Sequence, residues 1–303
     1  MKILMTGGTG FVGRHLEKAL RLKGIIAGHI GRSDLSGDED SLAERLSGVD
    51  AAINLAGAPI NRRWTSAYKQ EIVSSRVETT RRLVQAMAKT DVPPSVFIST
   101  SAIGAFDHSG RYSESDAPNA TDFLGQLCEN WEATAREAEA SGIRTMIFRF
   151  ALVLGHDGGM MKQLLTPFRL GLGGPVGNGA QHFSWIHIND LISAHLLALE
   201  NPQMSGVYHL CAPNPVTNLD FTKALGAALH RPTPFRVPEL LLKLAYGEGA
   251  EVMTSGQQVV SERLPESGFR FRYPELDAAL DEIVSHTNSR PPRAEFANTG
   301  SGS

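Results

Sequence analysis

Cysteine is nearly missing from this chain: 303 residues contain two, Cys128 and Cys211. Two thiols cannot build the disulfide framework of a small secreted domain, and they fit a reducing compartment, so a cytoplasmic protein is expected. Positive charge is not in excess either. Lys+Arg is 29 and Asp+Glu is 32, for a net charge of -3. A nucleic-acid-binding chain carries a basic excess or a basic run, and the lack of both argues against a nucleic-acid partner. Long apolar runs are also missing. The longest stretch without an acidic or basic side chain, Leu170 to Asn189, is full of Gly, Pro, Asn, Gln and His, which excludes a membrane span there, and no membrane partner is expected. The opening residues Met1 to Thr6 run straight into glycines, so no secretory leader is expected. What is present is ample core material: 42% hydrophobic residues against 20% charged, with a mean hydropathy of -0.14. That composition excludes intrinsic disorder for the chain as a whole.

Glycine is the one abundant outlier, at 30 residues or about 10% against a typical ~7%. The glycines cluster at 7–13, 155–159 and 171–179, so they mark particular loops. Between them, apolar runs alternate with helical spacing. Strands are expected at 3–5, 25–30, 51–55, 95–100 and 143–154, and helices at 11–22, 66–89 and 129–140. Strands alternating with helices predict an α/β fold with a Rossmann-type, doubly wound parallel sheet. After about residue 155 the pattern loosens. Further helices are expected near 190–200, 218–229, 239–253 and 274–283, with a strand at 207–210. Residues 286–303 show no periodicity and read as a flexible tail.

The segment Thr6, Gly7, Gly8, Thr9, Gly10, Phe11, Val12, Gly13 falls between the first strand and the first helix. Gly7 permits the tight turn, Gly10 lets the backbone approach a pyrophosphate, and Gly13 lets helix and strand pack closely. Backbone N–H groups at the helix start then face the anion. This spacing in this position predicts a dinucleotide site. The second strand ends at Gly31, Arg32, Ser33. An acidic residue there would bind a ribose 2′-hydroxyl, whereas a guanidinium suits a 2′-phosphate. Arg32 and Ser33 therefore favour NADP(H) over NAD.

The order of TGGTGFVG at 6–13, INLAG at 53–57, FISTSAIG at 97–104, FRFALVLG at 148–155 and WIHINDL at 185–191 resembles the extended short-chain dehydrogenase/reductase superfamily. The resemblance narrows to the epimerase-like YfcH-type family, sometimes labelled cell-division-inhibitor-like. It is carried by NLAGAPINRRW at 54–64, SSRVETT at 74–80, FLGQLCENWE at 123–132, the glycine-rich segment 170–190 and the C-terminal segment 256–280. It implies a smaller C-terminal substrate-side lobe and adds Leu55, Ala56, Gly57, Arg76 and Ser99 to the cofactor-binding residues. The dinucleotide-binding domain is expected over 1–155 plus about 185–212, and the substrate-side lobe over 156–184 and 213–285. The resemblance also implies a homodimer formed through the helices near 66–89 and 122–141.

In that superfamily a serine polarises a substrate carbonyl and a Tyr-x-x-x-Lys pair on the following helix supplies the proton. Ser101 matches the serine, but Leu124 stands where tyrosine belongs and Cys128 where lysine belongs, with Glu132 at a later acidic position. Replacement proton donors to weigh are Tyr112, His108, His187, Cys128 or a water held by Ser101. Arg63, Trp64, Gln181, Trp185 and His187 are the candidate substrate contacts, suited to an anionic or carbonyl-bearing small molecule with a flat portion. No metal ligand set is expected. Two readings remain open: an NADP(H)-dependent oxidoreductase or epimerase-like enzyme, and a nucleotide-binding regulatory protein that acts on a protein partner.

Overall fold

A computed structural model describes residues 1–288. Six strands lie side by side, all parallel, in the order 206–210, 144–150, 96–102, 51–54, 2–6, 26–30. Their residues are apolar on both faces, as a sheet covered on both sides requires. Ile3, Met5, Ile53, Ile98 and Phe148 pack on helices Phe11–Leu22 and Ile188–Glu200. Leu4, Ala52, Phe97 and Ile147 pack on the opposite face, against Glu39–Leu46, Thr79–Lys89 and the end of Phe123–Arg136. The fold is therefore a Rossmann-type α/β sandwich.

The chain leaves strand 2–6 toward 26–30 on one side and then crosses to 51–54 on the other, so the strand order reverses beside Thr6. Ligands of open α/β sheets bind in the crevice that such a reversal creates at the carboxyl ends of the strands. Thr6, Asn54 and Ser99 are in register across that edge.

A smaller lobe is built beside it from three two-stranded pairs: Leu152–Leu154 with Trp185–His187, His182–Phe183 with Val216–Thr217, and Arg111–Tyr112 with Gln258–Val259. Helices Met161–Arg169, Asn218–Ala228 and Leu276–Asn288 enclose its core around Phe168, Phe183, Trp185, Phe221 and Ile283.

Several elements differ from the periodic reading. The run 143–154 is two strands: after Phe150 the chain leaves the main sheet, and Leu152–Leu154 pairs with Trp185–His187 instead. The helix expected from 129 starts at Phe123, because Asp122 accepts the Gly125 N–H and caps it earlier. The helix 66–89 is continuous but contains a wide π turn at Ser74–Glu78. The helix expected over 239–253 breaks at Gly247, whose φ of 59° ends Glu239–Tyr246. Helices Arg32–Ser36, Glu39–Leu46 and Met161–Arg169 were not anticipated. The last helix runs to Asn288, covering the first positions of the expected tail; the rest of that tail, 289–303, lies outside the described residues.

Candidate functional site

The glycine loop is held by contacts that admit no side chain. A Cβ on Gly7, whose φ is +65°, would stand 2.5 Å from the Leu55 carbonyl oxygen, and one on Gly13 would meet Gly8 Cα at 2.6 Å. Gly10 N–H donates to the Gly7 carbonyl at 2.9 Å, closing the turn. The helix that follows begins at Gly10 with no side-chain cap and no acidic residue in its first turn. Asp38, Thr65, Asp122 and Thr217 each cap their helices through a side-chain oxygen. Helix Phe11–Leu22 thus keeps its first N–H groups for an anion, where the helix dipole also favours negative charge. The donor set and the glycine cradle fit the pyrophosphate of a dinucleotide.

At the end of the second strand, Arg32 and Ser33 are exposed at the start of a short helix. Arg32 has no hydrogen-bond or ion-pair partner among the described residues. The nearby carboxylate is not free to take a ribose hydroxyl. Asp34 accepts the Gly31 N–H at 2.7 Å and pairs with Arg45, and these partners, the backbone bond first, hold its carboxyl below the usual range. This corner offers an unpaired guanidinium and no unpaired acid, which fits a 2′-phosphate.

Behind the loop a buried polar chain ties four elements together. Thr6 Oγ1 donates to Asn54 Oδ1 at 2.6 Å, and Asn54 Nδ2 donates to Thr80 Oγ1 at 2.8 Å. Thr80 Oγ1 also accepts from Trp131 Nε1 at 2.9 Å and donates to the Arg76 carbonyl at 2.7 Å. Leu55, Ala56 and Gly57 continue from Asn54 at the crevice edge, with Ala56 N–H donating to Thr6 Oγ1 at 3.2 Å. The Arg76 guanidinium lies over Gly57, donates to the Ala58 carbonyl at 2.9 Å and stacks 5.5 Å from the Trp131 ring centroid. Burial lowers its pKa from the ordinary arginine value. Ser99 is fully buried on strand 96–102, and its hydroxyl has no hydrogen-bond partner among the described residues.

Ser101 lies on the sheet face covered by helix Phe123–Arg136. Its hydroxyl is 1% exposed and donates to Glu132 Oε1 at 2.8 Å. Glu132 is gripped by Arg149 through Nε at 2.7 Å and Nη2 at 2.8 Å, both side chains being 3% exposed. Burial alone would raise the Glu132 pKa, but the Arg149 hydrogen bonds and charge, the Ser101 hydroxyl and Arg136 outweigh it and hold the carboxyl below its usual range. Arg149 Nη1 also reaches His209 Nε2 at 3.4 Å, and His209 Nδ1 donates to the Val260 carbonyl at 2.9 Å. Leu124, Cys128 and Glu132 share this face of the helix at four-residue spacing. Leu124 packs against Gly104, and the Cys128 thiol points at the Ala102 carbonyl at 3.7 Å. Burial pushes that thiol up to about 12, so it does not serve as an acid or nucleophile near neutrality.

The other candidate proton donors are held elsewhere. Tyr112 OH donates to Asp107 Oδ1, accepts from Asn119 Nδ2 at 2.9 Å, and its ring stacks on Phe106 at 4.7 Å. Asp107 is lowered to about 2, chiefly by the Tyr112 hydroxyl. His187 is buried, with Nε2 on Glu282 at 3.0 Å, its Nδ1 accepting the Asn189 N–H, and its ring against Tyr273. Burial lowers its pKa. His108 is exposed and comes together with Asp122 and Glu251, their ligand atoms within 4.8 Å of one another, although Asp122 already caps a helix.

The candidate substrate contacts do not form one pocket. Trp185 has no exposed surface and belongs to the core of the smaller lobe, and His187 is its buried neighbour. Trp64 is 6% exposed, packs on Phe123 at 5.3 Å and donates Nε1 to the Ile60 carbonyl. Arg63 Nη1 donates to the Leu244 carbonyl at 2.7 Å. Gln181 Nε2 donates to the Val176 and Met253 carbonyls. Arg63, Trp64 and Gln181 thus tie the segment 244–253 to the loops at 60–64 and 176–181. Gly249 is seated on the Arg62 carbonyl, where a Cβ would also meet Trp64 Nε1 at 3.0 Å.

A switch-point crevice with an uncapped glycine-start helix defines a dinucleotide-binding protein of the short-chain dehydrogenase type. A family model described as the NAD dependent epimerase/dehydratase family matches residues 3–211, and the chain belongs to that family. A second model, a domain of unknown function (DUF1731), matches residues 237–283. The chain is 38% identical to the epimerase family protein SDR39U1 of Bos taurus over 94% of this chain and 100% of that one. It is 35% identical to the epimerase family protein YfhF of Bacillus subtilis, over 94% and 98%. The crystal structure of human SDR39U1 with NADPH superposes with a TM-score of 0.87 at 36% identity, covering 94% of this chain and 99% of that one. A UDP-N-acetylglucosamine 4-epimerase from Bacillus cereus shares the fold, at 19% identity and a TM-score of 0.75.

Proposed function

We propose that this protein binds NADP(H) and acts as an oxidoreductase or epimerase-like enzyme on a small carbonyl or sugar-nucleotide-like substrate. The observation that carries the reading is the unpaired Arg32 guanidinium at the end of the second strand, beside a carboxylate already taken by Arg45. The human relative, whose structure holds NADPH, supports it. The bound nicotinamide would supply or accept a hydride at the substrate carbon. The chain's own residues do the rest: the loop 7–13 orients the pyrophosphate, and Arg32 and Ser33 take the 2′-phosphate.

Proton transfer has a different arrangement from the superfamily's. Leu124 and Cys128 give the site no Tyr–Lys pair, and the Ser101 proton is already committed to Glu132. Lost general acid catalysis costs about 10²–10⁴-fold, so turnover is slow unless solvent or substrate supplies the proton. The committed Ser101 is also the observation that favours a second reading, a regulatory protein that keeps NADP(H) and works through a protein partner. A cytoplasmic location and a homodimer belong to both proposals.

The test is incubation with NADPH deuterated at the transferable position and a metabolite extract, followed by mass spectrometry of the products. Deuterium in one product, lost in the Arg32→Ala variant at subsaturating NADPH, supports the enzyme. NADPH binding without label in any product of extracts spanning carbonyl and sugar-nucleotide pools supports the regulatory reading. Failure to bind NADPH overturns both.

A further inference from the structure

Helix Glu239–Tyr246 is attached mainly at its two ends. Before it, Val237 N–H donates to the Pro175 carbonyl and Gly177 N–H to the Val237 carbonyl, both at 2.9 Å. At its far end Arg63 binds the Leu244 carbonyl at 2.7 Å and Trp64 N–H reaches the Tyr246 carbonyl at 3.4 Å. None of its eight residues is buried. Leu240, Leu241 and Leu244 fall on one arc of the helix and are 67%, 57% and 65% exposed. A surface helix normally turns such an arc inward. This one turns it out.

The exposed arc continues onto the neighbouring segments. Phe235 is 57% exposed and Leu170 and Leu172 are 68% and 59% exposed. Their strands of chain touch, Gly174 lying against the Phe235 carbonyl and Arg231 Nε donating to the Arg169 carbonyl at 2.8 Å. Six of the ten exposed large apolar side chains among the described residues therefore gather in one ridge. Its charged neighbours are mainly basic. Arg231 and Arg236 flank Phe235 and are exposed, and Lys243 is 61% exposed on the helix. Glu239, the acid on this helix, is 47% exposed, lies beside Gly177 and sits 3.9 Å from the Lys243 ammonium, whose charge it offsets.

We propose that this ridge docks the protein on an anionic lipid surface, with the leucines and Phe235 entering the headgroup boundary and Arg231 and Arg236 meeting lipid charge. A surface ridge whose exposed Leu and Phe side chains are flanked by arginines has the composition of an interfacial anchor. A second copy of the chain is the weaker occupant, because pairing two such ridges would gather the arginines of both copies in one interface. No described helix is long and apolar enough to cross a membrane, and peripheral docking requires none.

The test is co-sedimentation of the full chain with vesicles of phosphatidylcholine, with and without phosphatidylserine. Sedimentation with phosphatidylserine vesicles only, weakening with salt, is the expected result. Arg236→Ala should weaken it about fivefold, the effect of one basic residue near an anionic surface. The variant Leu240→Ser/Leu241→Ser/Leu244→Ser should lose it while keeping the wild-type circular dichroism and NADPH affinity. Three results would overturn the proposal: no sedimentation with either vesicle, equal sedimentation with both, or a dimer in solution that the triple variant converts to monomer.

Discussion

Removing the Glu132 carboxylate should be among the most costly single changes in this chain, because it strands a buried guanidinium. Arg149 is 3% exposed, gives two of its donors to Glu132 and sits 5.1 Å over the Phe106 ring, leaving His209 at 3.4 Å as its remaining polar partner. Breaking a buried pair by deleting one member costs about 3–5 kcal/mol, since the other charge stays desolvated. For a chain of this length that corresponds to a melting shift of about 5–8 °C. The Glu132→Leu/Arg149→Met double variant, which removes both charges, should recover most of the loss. Thermal melts by circular dichroism on the wild type, Glu132→Ala and the double variant would measure all three. A Glu132→Ala shift no larger than the ~0.5 kcal/mol of a neutral surface change would refute the reasoning. The pH dependence has a fixed sign. The Glu132 pKa is lowered in the folded protein, so its stabilisation is complete above the ordinary carboxylate value of about 4.3 and fades as pH falls through the lower folded value.

Gly13→Ala should abolish NADPH binding without unfolding the chain, because the new Cβ pushes Gly8 and the loop carbonyls out of place; fluorescence titration of NADPH checks it. Arg32→Ala should weaken NADPH by about 10–150-fold and leave NADH unchanged, the range expected for charged hydrogen bonds worth about 1.5–3 kcal/mol. Equal losses for the two nucleotides would remove Arg32 from the 2′-phosphate site. His195 is fully buried, and burial depresses it to about 4. Its depressed pKa makes folding progressively weaker as pH drops from about 6.5 toward 4, by up to ~1.4 kcal/mol per unit. His195→Leu should flatten that part of the urea-stability profile, and an unchanged slope would assign it to other groups.

The cofactor half of the site was legible in the sequence because its chemistry is local. Eight consecutive residues, 6–13, contain the turn, the approach and the helix start, and Arg32 follows the next strand directly. The order of the sheet strands through residue 100 is legible for the same reason, since each unit closes on its sheet neighbour, whereas helices 32–36 and 39–46 carry no comparable apolar spacing. The fate of Ser101 was not. That its proton goes to Glu132 depends on Arg149 arriving from a strand in register with Ser101 and pinning the carboxylate. Trp185 and His187 were read as cleft residues, yet their strand pairs with 152–154 and buries both under the helix at 276–288. The break at Gly247 had a signal in Gly247 and Gly249, outweighed by the apolar spacing on either side. Helix 161–169 carries Pro167 within it, which interrupts the local signal for a helix.

The wide turn at Ser74–Glu78 makes the length of one helix a fixed quantity. It spaces the two halves of 66–89 one residue out of step with uniform winding. Within it the Arg76 carbonyl accepts both the Thr79 N–H and the Thr80 hydroxyl, on which Asn54 and Trp131 converge. Deleting a single residue from 79–89, where no wide turn takes up the change, would rotate everything before it by about 100°. Ile72 would then leave its seat among Trp64, Leu127 and Trp131, and Arg76 would swing off Gly57. Relatives that share this crevice should therefore vary in residue identity across 79–89 while keeping its residue count.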